Sequence, residues 1–169
     1  LCRDCTTRHH DYSLLAGRAI TAKIQQETPD SFSAAMGRLE GVLDPYFSVL
    51  CASGAYDDAI KHDRDFQYDV FGISTLRRSY LLKHDGDVVE RPQYMLMRVA
   101  VYLWGNDMDR VLQTYELMST LQYTHATPTL FNAGMKHAQL ASCFLATMQD
   151  DSIQGIFKTL SDCASISKS

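Results

Sequence analysis

Cys143 sits inside an apolar run, Leu140 to Met148 (LASCFLATM), beside Ser142. A thiol in that setting can do redox work, because two thiols deliver two electrons when they close into a disulfide. That role needs a second thiol brought near by folding. The plain alternative is a core thiol, since free cysteine is among the most buried residue types. Seven residues on, Asp150-Asp151-Ser152 precede an apolar stripe at helical spacing. Acidic residues favour a helix start through the helix dipole. The free N–H groups of the same turn can take a phosphate, and a carboxylate there can accept from a ribose hydroxyl. Thr127 and Ser142 add hydroxyls near the entrance of the run, able to meet phosphate or ribose or to satisfy loop backbone.

Cys2-x-x-Cys5 followed by His9 and His10 has the ligand types and cysteine spacing of half a zinc site. One closed tetrahedral site would be cramped over so few residues, and no second cysteine pair follows. No βαβ pattern surrounds the pair for a thioredoxin-like redox role. The reading assigns no metal site. Arg77, Arg78 and Lys83 read as a solvated basic face. Met95, Met97, Met108 and Met118 read as core packing rather than a cofactor box.

The elements that would position these residues are mostly helices. Apolar residues at Leu14, Leu15, Ala19, Ile20 and Ile24 predict a helix from Tyr12 to Ile24. Thr28-Pro29-Asp30 interrupts it, and Pro29 opens a second helix carrying Phe32, Met36, Leu39 and Leu43. Asp44-Pro45 marks another break. One or two short helices follow around Gly54, then an irregular stretch from Asp63 to Asp69. Ser74 caps a short helix ending near Lys83. Asp85-Gly86-Asp87 is a tight turn between extended pieces around Leu81 and Val88. Pro92 starts a strong helix through Met95, Val99 and Leu103, and another runs from Met108 to Gln122. Thr127-Pro128-Thr129 and Asn132-Ala133-Gly134 are loop chemistry. Leu140–Met148 then suits a strand buried on both faces, though periodicity alone does not exclude a helix. Ile153, Ile156, Phe157, Leu160 and Ala164 predict a closing helix. The end of the chain therefore reads loop, strand, helix, the opening of an α/β unit.

The 169 residues suffice for one domain with a real core or for parts of two. With 46% hydrophobic and 21% charged residues the composition is that of a soluble globular protein. A net charge of -4 argues against a broad basic field for DNA or RNA. No apolar stretch nears the ~20 residues of a membrane span, and no signal peptide pattern opens the chain. Five scattered cysteines suggest reduced thiols in the cytoplasm. Leu1 at the start and the unpunctuated Ser165–Ser169 end both read as cuts in a longer chain.

Several long motifs together resemble one family. YTHATPTLFNAG (Tyr123 to Gly134), QLASCFL (Gln139 to Leu145) and DDSIQGIFKTLSDCASISKS (Asp150 to Ser169) resemble the large, catalytic subunit of class I ribonucleotide reductases of the eukaryotic and viral type. DRDFQYDVFGISTLRRSYLLK (Asp63 to Lys83) and ERPQYMLMRVAVYLWG (Glu90 to Gly105) are similar to its helical N-terminal region. TTRHHDYSLLAGR (Thr6 to Arg18) is similar to the end of its ATP-cone and the helix after it. Cys2 and Cys5 match no family motif, and the stretch Gly41 to Asp57 departs from the pattern.

The resemblance implies a mainly α chain: the end of an ATP-cone in residues 1–12, a helical N-terminal domain in 13–122, and in 123–169 the first strand–helix unit of a ten-stranded α/β barrel. It implies reduction of ribonucleoside diphosphates to 2'-deoxyribonucleoside diphosphates by thiyl-radical chemistry. Cys143 would be one member of the redox cysteine pair. Thr127 and Ser142 would touch substrate at its diphosphate and ribose side. Asp151, Ser152, Ile153 and Lys168 would belong to the allosteric specificity site, and Arg8 to the overall-activity site. ATP and deoxynucleoside triphosphates would be effectors, and thioredoxin or glutaredoxin the reductant. The radical would come from a metal-containing small subunit, and the large subunit would form a homodimer or higher oligomer. The radical-bearing cysteine and the second redox cysteine are expected beyond Ser169. An inactive or truncated relative that only binds nucleotide or a partner is the alternative.

Overall fold

A computed structural model of the chain describes residues 3–7 and 9–168. Eight α-helices and one small hairpin make up its named regular elements apart from short 3₁₀ and π turns: α1 (Asp11–Glu27), α2 (Phe32–Arg38), α3 (Pro45–Ala52), α4 (Val70–Thr75), β1 (Lys83–His84), β2 (Asp87–Val88), α5 (Pro92–Trp104), α6 (Met108–Ser119), α7 (Thr127–Asn132) and α8 (Ile153–Lys168). The mainly α expectation holds. Lys83 pairs with Val88 and His84 with Asp87 in an antiparallel register across the predicted turn.

Local punctuation fixes most helix starts. Ser31 accepts from Ala34 N and starts α2, so it is Ser31 rather than Pro29 that opens this helix. Asp44 caps α3 ahead of Pro45, as the break at these residues suggested. Asp69 caps α4 through Gly72 N, so α4 begins before Ser74, which lies inside it. The chain then widens into a π turn from Leu76 to Tyr80, with Leu81 N donating to Leu76 O at 2.9 Å. The irregular stretch around Asp63 forms a 3₁₀ segment, His62–Gln67.

The core gathers on α5. Residues Pro92 to Val101 are all buried, as expected of a helix that is apolar all round. Helix α6 packs along it with Val111, Tyr115 and Met118, and Phe32, Met36, Leu39 and Leu43 fill the space beneath. Met95, Met97 and Met118 are core residues, as their spacing predicted.

Side chains far away in sequence finish several helices. Every helix end leaves backbone groups without an internal partner. At the end of α1, Arg91 donates to Gln25 O at 2.9 Å and Thr28 O at 3.3 Å. At the start of α5, Asp65 accepts from Gln93 N at 3.0 Å. At the end of α7, Arg98 donates to Leu130 O and Ala133 O.

Asp65 makes one of these caps pH-sensitive. It is fully buried, and burial pushes its carboxyl up to about 6, against the donors Gln25 and Gln93 and the charge of Arg91. The unfolded carboxyl titrates near ~4. Between these values the folded chain keeps a proton that the unfolded chain has released. Stability therefore falls as pH rises from about 4 to about 6, by up to ~3 kcal/mol. Asp65→Asn cannot ionise and is expected to lose that slope in urea unfolding followed across the window. A variant that keeps the wild-type slope would assign it to other groups.

The largest departure from expectation is Leu140–Met148. This segment has no regular secondary structure, and Phe144, Leu145 and Met148 are exposed, Leu145 completely so. The predicted buried strand is not formed. A strand buried on both faces needs neighbours to bond its backbone and cover its side chains. Among the described residues the only named strands are β1 and β2, which pair with each other.

Candidate functional site

The residues singled out by their chemistry fall in three places. Thr127 opens α7, a helix where the sequence suggested loop. Its hydroxyl lies 3.2 Å from Tyr80 Oη, and the ring of Tyr80 stacks on Phe131 with centroids 4.6 Å apart. Just after α7, Gly134 has φ 85°, and a Cβ there would run into the ring of Phe47. Asp44 N donates to Gly134 O at 2.9 Å, and Leu43 bridges Met135, so α7 and its exit are held to the helical body.

Ser142 and Cys143 lie in the open segment that follows. Thr129 Oγ1 donates to Leu140 O at 3.5 Å and Asn132 Nδ2 to Gln139 O at 2.7 Å, which tethers the segment to α7 just upstream. Ser142 Oγ is 3.6 Å from Cys143 Sγ, and both residues are exposed. Cys5, Cys51, Cys143 and Cys163 are all free thiols. Cys51 differs from Cys143: it is buried under α5, and burial pushes its thiol far above the usual range. A thiol so disposed is inert, whereas Cys143 is open to a partner thiol.

The third place is the start of α8. Ser152 Oγ accepts from Gly155 N at 3.0 Å, and Ile156 N donates to Ser152 O at 2.9 Å, so Ser152 is the cap. Asp150 braces it by accepting from both Ser152 N and Ser152 Oγ. Gly155 gives Asp150 the room, since a Cβ at this position would collide with it. Asp151 is left exposed beside the cap, Ile153 is 67% exposed, and Lys168 lies at the far end of the helix. The stripe Ile153, Ile156, Phe157 and Leu160 faces solvent, so α8 is amphipathic as predicted but has no core of its own here. Arg8 and Cys2 lie outside the described residues.

Other expected clusters resolve simply. His9, His10 and Asp11 each bring one ligand atom within 4.8 Å of the others, yet all three are exposed and Asp11 already pairs with both rings, at 3.4 and 2.9 Å. Arg77 pairs with Glu27 at 2.9 Å, and Lys83 Nζ donates to Arg78 O at 3.0 Å. These basic residues line a cleft of about 890 Å³ with Arg38. None of the residues with predicted chemistry lines it.

Sequence reasoning passed over Tyr80, Glu90 and Arg98, which surround α7. One signal was available: Arg98 is the only charged residue in the otherwise apolar and polar-neutral α5. A lone charge in a helix buried all round needs partners, and finding them would have pointed to Glu90 and α7.

A helical body that ends in a short helix, a thiol-bearing segment and a capped amphipathic helix is the architecture to be placed. Residues 66–138 match the family described as ribonucleotide reductase, all-alpha domain. Beyond that segment, nearly the whole chain is similar to ribonucleotide reductase large subunits. It is 49% identical over 177 residues to the ribonucleoside-diphosphate reductase large subunit of Arabidopsis thaliana, covering 97% of this chain and 22% of that one. It is 47% identical over 176 residues to the large chain of Neurospora crassa, covering 96% and 19%. It is 45% identical over 177 residues to the large subunit of Variola virus, covering 97% and 23%. The chain thus spans about a fifth of the length of these relatives.

Proposed function

We propose that this chain is part of a ribonucleoside-diphosphate reductase large subunit, and that the whole protein reduces ribonucleoside diphosphates to 2'-deoxyribonucleoside diphosphates. The observation that carries the proposal is the identity of 45 to 49% over nearly the entire chain to proteins of that name. The placement of the residues supports it. Thr127 at the start of α7 and Ser142 in the segment tethered to that helix offer hydroxyls to the diphosphate and ribose. Cys143 is the accessible thiol of that segment and serves as one member of the redox pair. The other member and the radical-bearing cysteine come from residues outside this chain.

Asp151, Ser152 and Ile153 at the start of α8, and Lys168 at its far end, each contribute to the specificity site, and Arg8 belongs to the overall-activity site. ATP and deoxynucleoside triphosphates act there as effectors. The division into a cone end at 1–12, a helical domain at 13–122 and a barrel start at 123–169 follows the same reading. Segment 140–148 becomes a barrel strand once neighbouring strands bond its backbone, which also covers the side chains now exposed. The partners are a small subunit that supplies the radical from its metal site, a second large subunit or more, and thioredoxin or glutaredoxin as reductant. Among the described residues no helix is long and apolar enough to cross a membrane, and the proposed location is the cytoplasm.

The test is direct. The full-length protein, given a small subunit and a dithiol reductant, is expected to convert cytidine diphosphate to its 2'-deoxy form with turnover in the ordinary range of ~1–10³ per second or somewhat below. No product with a competent small subunit would overturn the proposal and favour an inactive relative.

A further inference from the structure

A buried ion pair lies between the core and the helix that carries Thr127. Arg98 and Glu90 are both fully buried, and Arg98 Nε donates to Glu90 Oε1 at 2.6 Å. Taking two charges out of water is expensive, and a well-packed apolar pair is often at least as stable. Stability alone therefore gives little reason for this pair, Arg98 in the middle of α5 and Glu90 just before it, to stand in the core. Its other hydrogen bonds give a better one. Arg98 Nη1 donates to Ala133 O at 2.5 Å and Nη2 to Leu130 O at 3.0 Å, which holds the exit of α7. Glu90 Oε2 accepts from Arg98 Nη2 at 3.2 Å and from Leu82 N at 2.9 Å. Leu82 lies two residues after Tyr80, whose ring and hydroxyl hold Phe131 and Thr127. The ion pair thus holds the exit of this six-residue helix directly, and it is tied to the start through the short chain from Leu82 back to Tyr80.

We infer that Glu90 and Arg98 are the positioning pair that sets Thr127 for the substrate diphosphate, with Tyr80 as the second arm. The inference rests on the reading that Thr127 meets substrate. A helix of six residues has little stability of its own, so its place is decided by what holds it. The planar guanidinium fixes two carbonyls and a carboxylate in one geometry, which a flexible ammonium does not reproduce. Without it the buried carbonyls of Leu130 and Ala133 lose their partner, and α7 must shift to find others. A small shift of a substrate-binding hydroxyl is enough to weaken binding.

The experiment uses the full-length reductase with its small subunit, at saturating effector. KM and kcat for cytidine diphosphate are measured alongside thermal unfolding. The variants are Arg98→Met with Glu90→Gln, which removes both charges together, and Arg98→Lys, which keeps the charge and loses the fork. Each is also combined with Thr127→Ala. The double variant is expected to fold and to raise KM by ~10-fold while kcat changes by less than ~3-fold. Arg98→Lys is expected to raise KM by a few fold, also in a folded protein. With Thr127→Ala already present, neither change should raise KM further by more than ~2-fold, because coupled residues do not add. An unchanged KM in the folded double variant would overturn the inference. Losses that add in full to that of Thr127→Ala would do the same, as would failure of both Arg98 variants to fold, which would place the pair in the general scaffold. An unchanged KM in Thr127→Ala alone would overturn the substrate reading of Thr127 and the inference with it.

Discussion

Cys143→Ser in the full-length protein is expected to lower the rate of deoxynucleotide formation by ~10³-fold or more, equivalent to about 4 kcal/mol of barrier. Replacing the 2' hydroxyl of a ribose by hydrogen takes two electrons. Two thiols supply them: the carbon–oxygen bond breaks, the oxygen leaves as water, a carbon–hydrogen bond forms, and the two sulfurs join. A serine oxygen cannot join a sulfur in that way, so the variant keeps the shape and loses the electrons. The geometry around Cys143 fits this demand. Its thiol is exposed and touches the Ser142 hydroxyl at 3.6 Å, so a second sulfur can approach. Cys163 is exposed too, but it lies on α8, on the far side of the Asp150–Ser152 cap in sequence. Cys163→Ser is therefore expected to keep activity within ~3-fold of wild type. Deoxycytidine diphosphate formation measured side by side for the two variants separates a redox thiol from a merely accessible one. A Cys143→Ser protein that still turns over would remove Cys143 from the chemistry.

Gly17→Ala is expected to destabilise the fold by ~2–3 kcal/mol, although alanine is the better helix former by about 1 kcal/mol. At Gly17, α1 meets the chain at Tyr68 and Asp69 with backbone against backbone. A Cβ would lie 2.5 Å from Tyr68 O and 2.7 Å from Asp69 C. Neither atom can swing away as a side chain would. Asp69 is further held because it caps α4 through Gly72 N at 2.7 Å and accepts from Ser13 at 3.4 Å. Relief must come from moving α1 as a whole, which disturbs the Arg91 cap at its end. Gly37 in α2 supplies the contrast, because nothing lies within 4 Å of a Cβ built there. Gly37→Ala is expected to be neutral or to stabilise by up to ~1 kcal/mol. Urea unfolding midpoints for the two variants test the contrast, and similar midpoints would mean that α1 and α4 are not fixed against each other.

Much of the helical body was legible because its signals are local. Pro92 before a long apolar run, Asp44-Pro45, Asp85-Gly86-Asp87 and the stripe from Ile153 to Leu160 each act through neighbours a few residues away, and α3, α5, α8 and the hairpin turn appear where they point. The competing signals were harder. Pro29 suggested the start of α2, but the Ser31 hydroxyl, which accepts from Ala34 N, sets that start at Phe32. Thr127 to Asn132 carries turn-forming residues, yet it folds as α7 because Arg98 and Tyr80, more than thirty residues away, hold its ends.

The run LASCFLATM marks the limit in the other direction. Its composition suits a buried strand, but composition states only what a segment needs, and among the described residues no strand neighbours supply it. Cys143, Thr127, Ser142 and Asp151 were picked out by residue type and by long motifs, both of which are written along the chain. What the amino-acid order determined by itself was therefore the helices with local caps, the resemblance to one family, and the choice of Cys143 as the candidate thiol. Only the tertiary structure decided that Cys143 is open while Cys51 is sealed, that Asp65 and Arg91 cap helices remote from them in sequence, and that Arg98 and Glu90 grip the helix bearing Thr127. The physical reason is that a buried charge takes its partners from whatever the fold brings within about 3 Å, and that distance is not encoded by separation along the chain.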